Sequence, residues 1–453
     1  MQTFGCANPG PGVPSDGAGA FYPAFWSQGQ PGYDAGYSVA TDRADNTYVA
    51  GSFERCLDIG GMELIGVGGA DGFIAKYDST GTLLWVQTLG GAFSDSRINS
   101  GARANAIIVD AAGNPYVAGT FQEPCTFGTT TLHTTVLGAI DTFVAKLDPT
   151  TGNFTWVHQF DGPFCVRAFA LTLDHVGNVL VADDFSAAPG DGVTGADFDF
   201  LANPGAHTLR SVTSNGSGFV VKLDTNGAFV WVRNANSMQG VNTTSIAVDL
   251  NNNIYTTGEL QDVTGFSDGI NPYFITLTGP ANFGEQYTLK MDPNGTPLWA
   301  VPGDNSDGGF PLGIAVDSQG ASYTTGVFFG QADFDPAHIH IGNPDPLTSA
   351  ANSGDIFVAK VDTNGNIVWA HRAGGGGFDI GTGITFDQTG RLFVIGLVTG
   401  TAHVGSLVIN ANKATNSSFV SEIDTVKGAV LATVASANQG LQGGDRAFAN
   451  RRR

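Results

Sequence analysis

In this chain of 453 residues, the side chains with the most chemical potential are its histidines, aspartates and cysteines. His338 and His340 are two apart, which on a strand turns both to one face, and with Asp335 they could chelate a metal. An exposed pair at a strand edge is the plainer reading, and no metal site is expected. The remaining histidines (His133, His158, His175, His207, His371 and His403) form no local pair. Cys6, Cys56, Cys125 and Cys165 show no C-x-x-C spacing and no nearby histidine cluster, so zinc-site spacing is absent. Four cysteines allow three pairings; Cys6–Cys56 and Cys125–Cys165 are the expected disulfides, with buried thiols as the alternative. No G-x-S-x-G, H-E-x-x-H or phosphate loop occurs, so no catalytic residue and no cofactor is assigned.

Other residue types recur too regularly for one active site. Asp42, Asp110, Asp174, Asp249, Asp317 and Asp387 each precede a turn, which fits backbone capping better than calcium binding. Lys76, Lys146, Lys222, Lys290 and Lys360 are 70, 76, 68 and 70 residues apart. Such lysines are expected to satisfy groups on a neighbouring repeat. Trp85, Trp156, Trp231, Trp299 and Trp369 read as packing anchors rather than sugar platforms.

The elements that carry them come in two interleaved motifs. One spans Asp71–Val86 and returns at Asp141–Val157, Gly218–Val232, Gln286–Ala300, Asp355–Ala370 and, weakly, Ser418–Val434, where Glu422 replaces the lysine and the tryptophan is lost. The other spans Gly36–Phe53, Ala104–Phe121, Ala168–Phe185, Thr243–Leu260, Pro311–Phe328 and Gly381–Val398. Each period thus holds four strands, A to D, and exceeds the about 40–45 residues of a WD40 blade. The excess lies between B and C, with room for an extra short hairpin. In Phe143-Val-Ala-Lys-Leu147 both strand faces are partly apolar, as in a small sheet packed between two others. Radial packing buries both faces, so the expected fold is all-β: a β-propeller of six blades, each with four antiparallel strands.

Composition agrees. Only 13% of residues are charged while 42% are hydrophobic, and 64 glycines and 20 prolines supply many turns. The net charge of -21 should repel nucleic acid and anionic membranes. No apolar run approaches the about 18 residues of a membrane span. The sequence starting at Met1 lacks the basic and apolar regions of a signal peptide, which leaves an intracellular protein or a processed product.

These motifs resemble the bacterial β-propeller repeat family of SBBP type, above all at Asp355–Ala370 and Gly313–Phe328, over about residues 21 to 435. Asp333-Phe-Asp-Pro336 resembles a segment frequent in related bacterial proteins. The resemblance implies a secreted or cell-surface protein and favours a processed product, extracellular in location. The expected layout is an N-terminal tail over 1–20, the propeller over 21–435 and a C-terminal tail over 436–453.

The ends do not count evenly. Ala24-Phe-Trp-Ser-Gln28 looks like a seventh D strand, with Trp26 in the place of Trp85, and Asp445–Asn450 looks like the start of another A strand. The expected function is therefore a non-enzymatic structural or surface protein that self-associates into filaments by exchange of terminal strands. A glycan- or protein-binding propeller module is the alternative, with a secreted lyase or hydrolase third.

Overall fold

The structure is a computed structural model. It describes residues 34–435 apart from 92–100, 123, 135, 137, 163–164, 187–194, 198–207, 211–215, 238–239, 262–263, 268–271, 276–283, 306, 335–345, 351–352 and 412–416. The surplus D-like strand around Trp26, the Asp445–Asn450 stub, Cys6 and the Asp335–His338–His340 group lie outside the described residues.

Strand and turn formation follow one local rule. Asp110 Oδ1 accepts hydrogen bonds from the backbone N–H groups of Ala112 and Asn114, both at 2.9 Å, while Gly113 takes φ +90° to close the turn. Asp42, Asp174, Asp249, Asp317 and Asp387 cap their A–B turns in the same way. These aspartates are turn caps, as the sequence pattern implies.

The fold is all-β and propeller-like. Six sheets each contain one repeat in the order A-B-C-D, all antiparallel: the first runs through Ala35–Thr41, Thr47–Ile59, Met62–Tyr77 and Leu83–Gly90. The second is Gly101–Val109, Pro115–Gln122, Asp141–Leu147 and Phe154–Phe160. A seventh, two-stranded sheet pairs Gly195–Asp197 with Thr208–Arg210. The fourth repeat begins with A strand Ser245–Val248, the fifth with Gly309–Val316 and the sixth with Ile380–Phe386, and the A strand of the third is Ala170–Leu173.

Four strands per sheet is too simple a description. The B–C connection of a repeat forms a hairpin that pairs with the D strand of the preceding sheet. Leu89 pairs with Phe127, Asn234 with Ser267, Asp304 with Asp333 and Gly374 with His403. These hairpins widen four sheets and cover the edges of their D strands. In the first repeat the hairpin instead prolongs its own B and C strands, around Ile59 and Met62.

The sheets stack in chain order. Tyr48, Ile74 and Trp85 pack on Val117, Phe143 and Leu147; Tyr116 and Val144 on Val181 and Phe219; Leu180 and Trp231 on Ile254 and Leu289. Trp299 then meets Phe328 and Phe357, and Tyr323 and Trp369 meet Val394 and Phe419. Full burial of such side chains contributes about 1.5–3 kcal/mol each. The outward face of the first sheet is different, because its cluster of Phe53, Phe73, Ala75, Ile59 and Leu64 draws only on the first repeat.

The expected Cys125–Cys165 disulfide is not formed: both are buried, free thiols. Cys125 belongs to a hairpin joined to the first sheet, whereas Cys165 pairs with Ser186 in the third. No disulfide links two described residues. No helix of the described residues is long and apolar enough to cross a membrane.

Candidate functional site: an axial cavity between the A strands

The recurrent lysines and tryptophans form a latch between repeats. Lys76 Nζ donates to the Pro149 carbonyl at 2.7 Å, and Trp85 Nε1 donates to the same oxygen at 3.2 Å. Lys290 and Trp299 both donate to the Thr363 carbonyl, at 3.3 and 3.0 Å, and Lys360 and Trp369 to that of Thr425, at 2.9 and 3.4 Å. Lys222 reaches the Pro293 carbonyl at 3.2 Å and Asp174 at 2.9 Å. Each ammonium of Lys76, Lys146, Lys290 and Lys360 also lies 4.9–5.0 Å from a tyrosine ring centroid. Trp85, Trp231 and Trp369 are buried, which removes them as sugar platforms.

Successive A strands touch one another and form the inner wall of the stack. Each pairs with its B strand alone, so its other edge faces inward. Two serines tie these edges together: Ser38 Oγ accepts from the Ile107 N–H and Ser245 Oγ from the Ile314 N–H, both at 3.2 Å. Between the A strands of the third to sixth repeats lies a cavity of about 260 Å³. Ile246, Val248, Ile314, Val316, Ile384 and Phe386 give it an apolar wall. At the end formed by the A–B turns it meets His175, Asp249, Asp317 and Ser318. An apolar wall with a polar, acidic mouth can hold a small neutral or cationic ligand that has one apolar side.

The opposite ends of the strands carry buried charge. Arg372 Nε donates to Asp355 Oδ2 at 2.6 Å, while Asp379 accepts from the N–H groups of Gly375 at 2.6 Å and Thr399 at 2.8 Å. A side chain on Gly374 would collide with both carboxylates, which therefore flank the same backbone. Burial pushes the Asp379 carboxyl up to about 6, with Asp355 adding repulsion. Asp355 is also raised, chiefly by burial, and its Oδ1 has no hydrogen-bond partner. In the third repeat, Arg167 Nη2 meets Asp184 Oδ2 at 3.0 Å, and burial together with Asp184 drives Asp183 well above the usual carboxylate range. Paired carboxylates with shifted pKa values are a feature of acid–base sites, yet Asp355 and Asp379 have no exposed surface. Their present geometry braces the loops at these strand ends.

Neither the cavity nor these pairs was singled out from sequence. The cavity arises where strand edges from four repeats converge, which no local pattern reports. The adjacent Asp183 and Asp184, interrupting an otherwise apolar B strand, were the one visible signal for the charged group.

No family model matches the chain. It is 24% identical over 266 residues to an uncharacterized WD repeat-containing protein of Acanthamoeba polyphaga mimivirus, a match that spans 53% of this chain and 19% of that relative. Among solved structures it is similar to a catalytically inactive virginiamycin B lyase from Staphylococcus aureus with quinupristin, at 9% identity and a TM-score of 0.37, covering 86% of this chain and 92% of that one. It is also similar to a luciferin-regenerating enzyme, at 11% identity and a TM-score of 0.34, covering 92% and 95%. The expectation of a non-enzymatic structural protein is corrected here. A lyase and a luciferin-regenerating enzyme are among the proteins it is similar to, and a fold by itself does not exclude catalysis. The filament-forming role is dropped with it.

Proposed function

We propose that the chain is a ligand-binding propeller module whose ligand is a glycan terminus held in the axial cavity. Its repeat order fits a ring of six blades, in keeping with the resemblance to bacterial repeat proteins of the extracellular space or cell surface. The observation that carries this reading is the cavity itself, about 260 Å³ between four A strands. It lies just below the roughly 300–1,000 Å³ of drug-sized sites. A folded partner cannot enter so small a space, whereas a sugar ring can set its apolar face on Val248, Val316 and Ile384. Its hydroxyl groups then meet His175 and Ser318 at the mouth, beside the turn-capping Asp249 and Asp317. The acidic mouth and the net charge of -21 disfavour anionic sugars.

A glycan array probed with the labelled chain tests this. The expected result is retention on neutral or amino sugars, followed by a rise in unfolding temperature when the free sugar is added. An array with no retained sugar would contradict the reading. Chemical change of a retained sugar would show that the same cavity also supports catalysis.

A further inference from the structure

Main-chain groups, and not side chains alone, supply polar contacts inside the axial cavity. Residues 246–250, 314–318 and 384–386 line it in unbroken runs. Successive side chains on a strand point to opposite faces, so a space that meets every residue of a run meets the strand's edge. The A–B turns fix which peptide groups that edge presents. The Asp249, Asp317 and Asp387 N–H groups bond across the turn toward their B strands, at the carbonyls of Asn253, Ala321 and Arg391. Peptide groups of neighbouring residues point to opposite sides of an antiparallel strand. The N–H and C=O groups of Val248, Val316 and Phe386 therefore point away from the B strands, to the cavity side.

Part of this edge is tied off and part is not. Ser245 Oγ accepts from the Ile314 N–H at 3.2 Å. At the next join the residue matching Ser245 is Gly313, where a Cβ would stand 3.1 Å from the Ile384 nitrogen. Gly313 supplies no hydroxyl, so the Ile384 N–H lacks this tie. The carboxylates at the mouth are already engaged: Asp249 accepts from Asn251, Asn253 and Tyr255, and Asp317 from Gln319, Ala321 and Tyr323. A strand edge presents donors and acceptors together, and such groups cost stability when they are enclosed without partners.

We propose that the ligand's defining group is an uncharged acetamido group held between facing strand edges, which makes the ligand an N-acetylated amino sugar. This rests on the sugar-binding reading of the same cavity. The N–H and C=O of a trans amide point in opposite directions. One acetamido group can therefore serve edges on two sides of the cavity, donating to a carbonyl on one and accepting from an N–H on the other. A hydroxyl donates and accepts at a single atom and spans no gap. The acetyl methyl group finds apolar side chains such as Ile246 and Phe386 alongside. A free ammonium gains little, because the mouth carboxylates are committed to the turns, and it leaves the inward N–H groups unmatched.

Isothermal titration of the full chain with glucose, glucosamine and N-acetylglucosamine, and with the matching galactose series, tests it. The acetamido member of at least one series is expected to bind about tenfold or more tightly than its hydroxyl and amine counterparts. In that complex the amide hydrogens of Val248, Val316 and Phe386 should exchange about tenfold more slowly, while that of Ile314, already bonded to Ser245, changes less. Val316→Pro removes one inward N–H and no bond to the B strand. It should weaken the acetamido sugar about tenfold, and Val316→Ala, which keeps the N–H, by less. Equal affinity within both series would overturn the acetamido assignment and leave the sugar site in place. So would unslowed exchange at all three amides, or no binding in either series when the array retains another sugar. An array that retains no sugar would overturn the sugar reading itself, and this inference with it.

Discussion

Lys76 of the first repeat and Pro149 of the second are joined across their boundary by a 2.7 Å hydrogen bond from the ammonium to the carbonyl oxygen. The carbonyl lies within a tight turn that Gly152 and Asn153 close against Asp148, so the bond fixes where one sheet sits on the next. Lys76 is only 7% exposed, and its partners Asp42 and Tyr48 belong to its own sheet. Lys76→Met keeps the stem and removes the donor. The expected loss is about 1–2 kcal/mol, because the Pro149 oxygen retains the Trp85 indole as a second donor. Urea unfolding measures it; an unchanged midpoint would show that the latch is not a stabilising contact.

Two turn glycines should respond unequally to alanine. Gly152 and Gly390 both have positive φ, +74° and +84°, so alanine strains the backbone at either. Only Gly152 is also pressed by an indole, that of Trp85, while a side chain at Gly390 meets open space. Gly152→Ala is therefore expected to cost about 1–3 kcal/mol more than Gly390→Ala. Equal losses in thermal unfolding would mean that packing across the boundary is loose.

Two buried groups tilt the pH dependence in opposite senses. Burial lowers the pKa of His158 from 6.5 to about 4, so its contribution to stability is complete above about pH 6.5 and is lost as pH falls toward 4. Burial raises Asp379 from 3.8 to about 6, so its contribution is complete below about pH 3.8 and is lost as pH rises through 6. Relative to the wild type, His158→Gln should gain stability as pH falls through the first window. Asp379→Asn should gain as pH rises through the second. Urea midpoints across this range check both, and parallel curves would contradict the assignments.

Cys125 and Cys165 should be chemically silent in the folded protein. Burial pushes both thiols up, Cys165 to about 12, and buries them away from reagents. Labelling by a thiol reagent should follow unfolding for both residues. Fast labelling of either under native conditions would place it nearer the surface.

Much of the fold was legible in the sequence because it is local. The Asp-to-Gly turns, the alternation in Phe143-Val-Ala-Lys-Leu147 and the recurring Lys and Trp each act within a few residues. The lysines were expected to bond groups of a neighbouring repeat, and Pro149, Pro293, Thr363 and Thr425 supply them. What escaped was non-local. Thr126 joins Gly90 of the preceding sheet, a pairing set by which strand edge is free rather than by the hairpin's own residues. Cys125 and Cys165 failed as a disulfide for the same reason, since neighbouring repeats in sequence do not place neighbouring loops in one sheet. The axial cavity had no sequence signal, because its lining residues are ordinary core-type side chains such as Ile246 and Val316.

The central claim is that a sugar occupies the cavity between the A strands. Val316 lines the cavity and is only partly buried, so Val316→Trp adds bulk at its wall. Isothermal titration of the best array sugar into the wild type and Val316→Trp is the direct measurement. The account predicts binding to the wild type and a loss of at least roughly tenfold in affinity, about 1.4 kcal/mol, in a variant that unfolds at the same temperature. Equal affinity in the two proteins would place the ligand elsewhere and contradict the account.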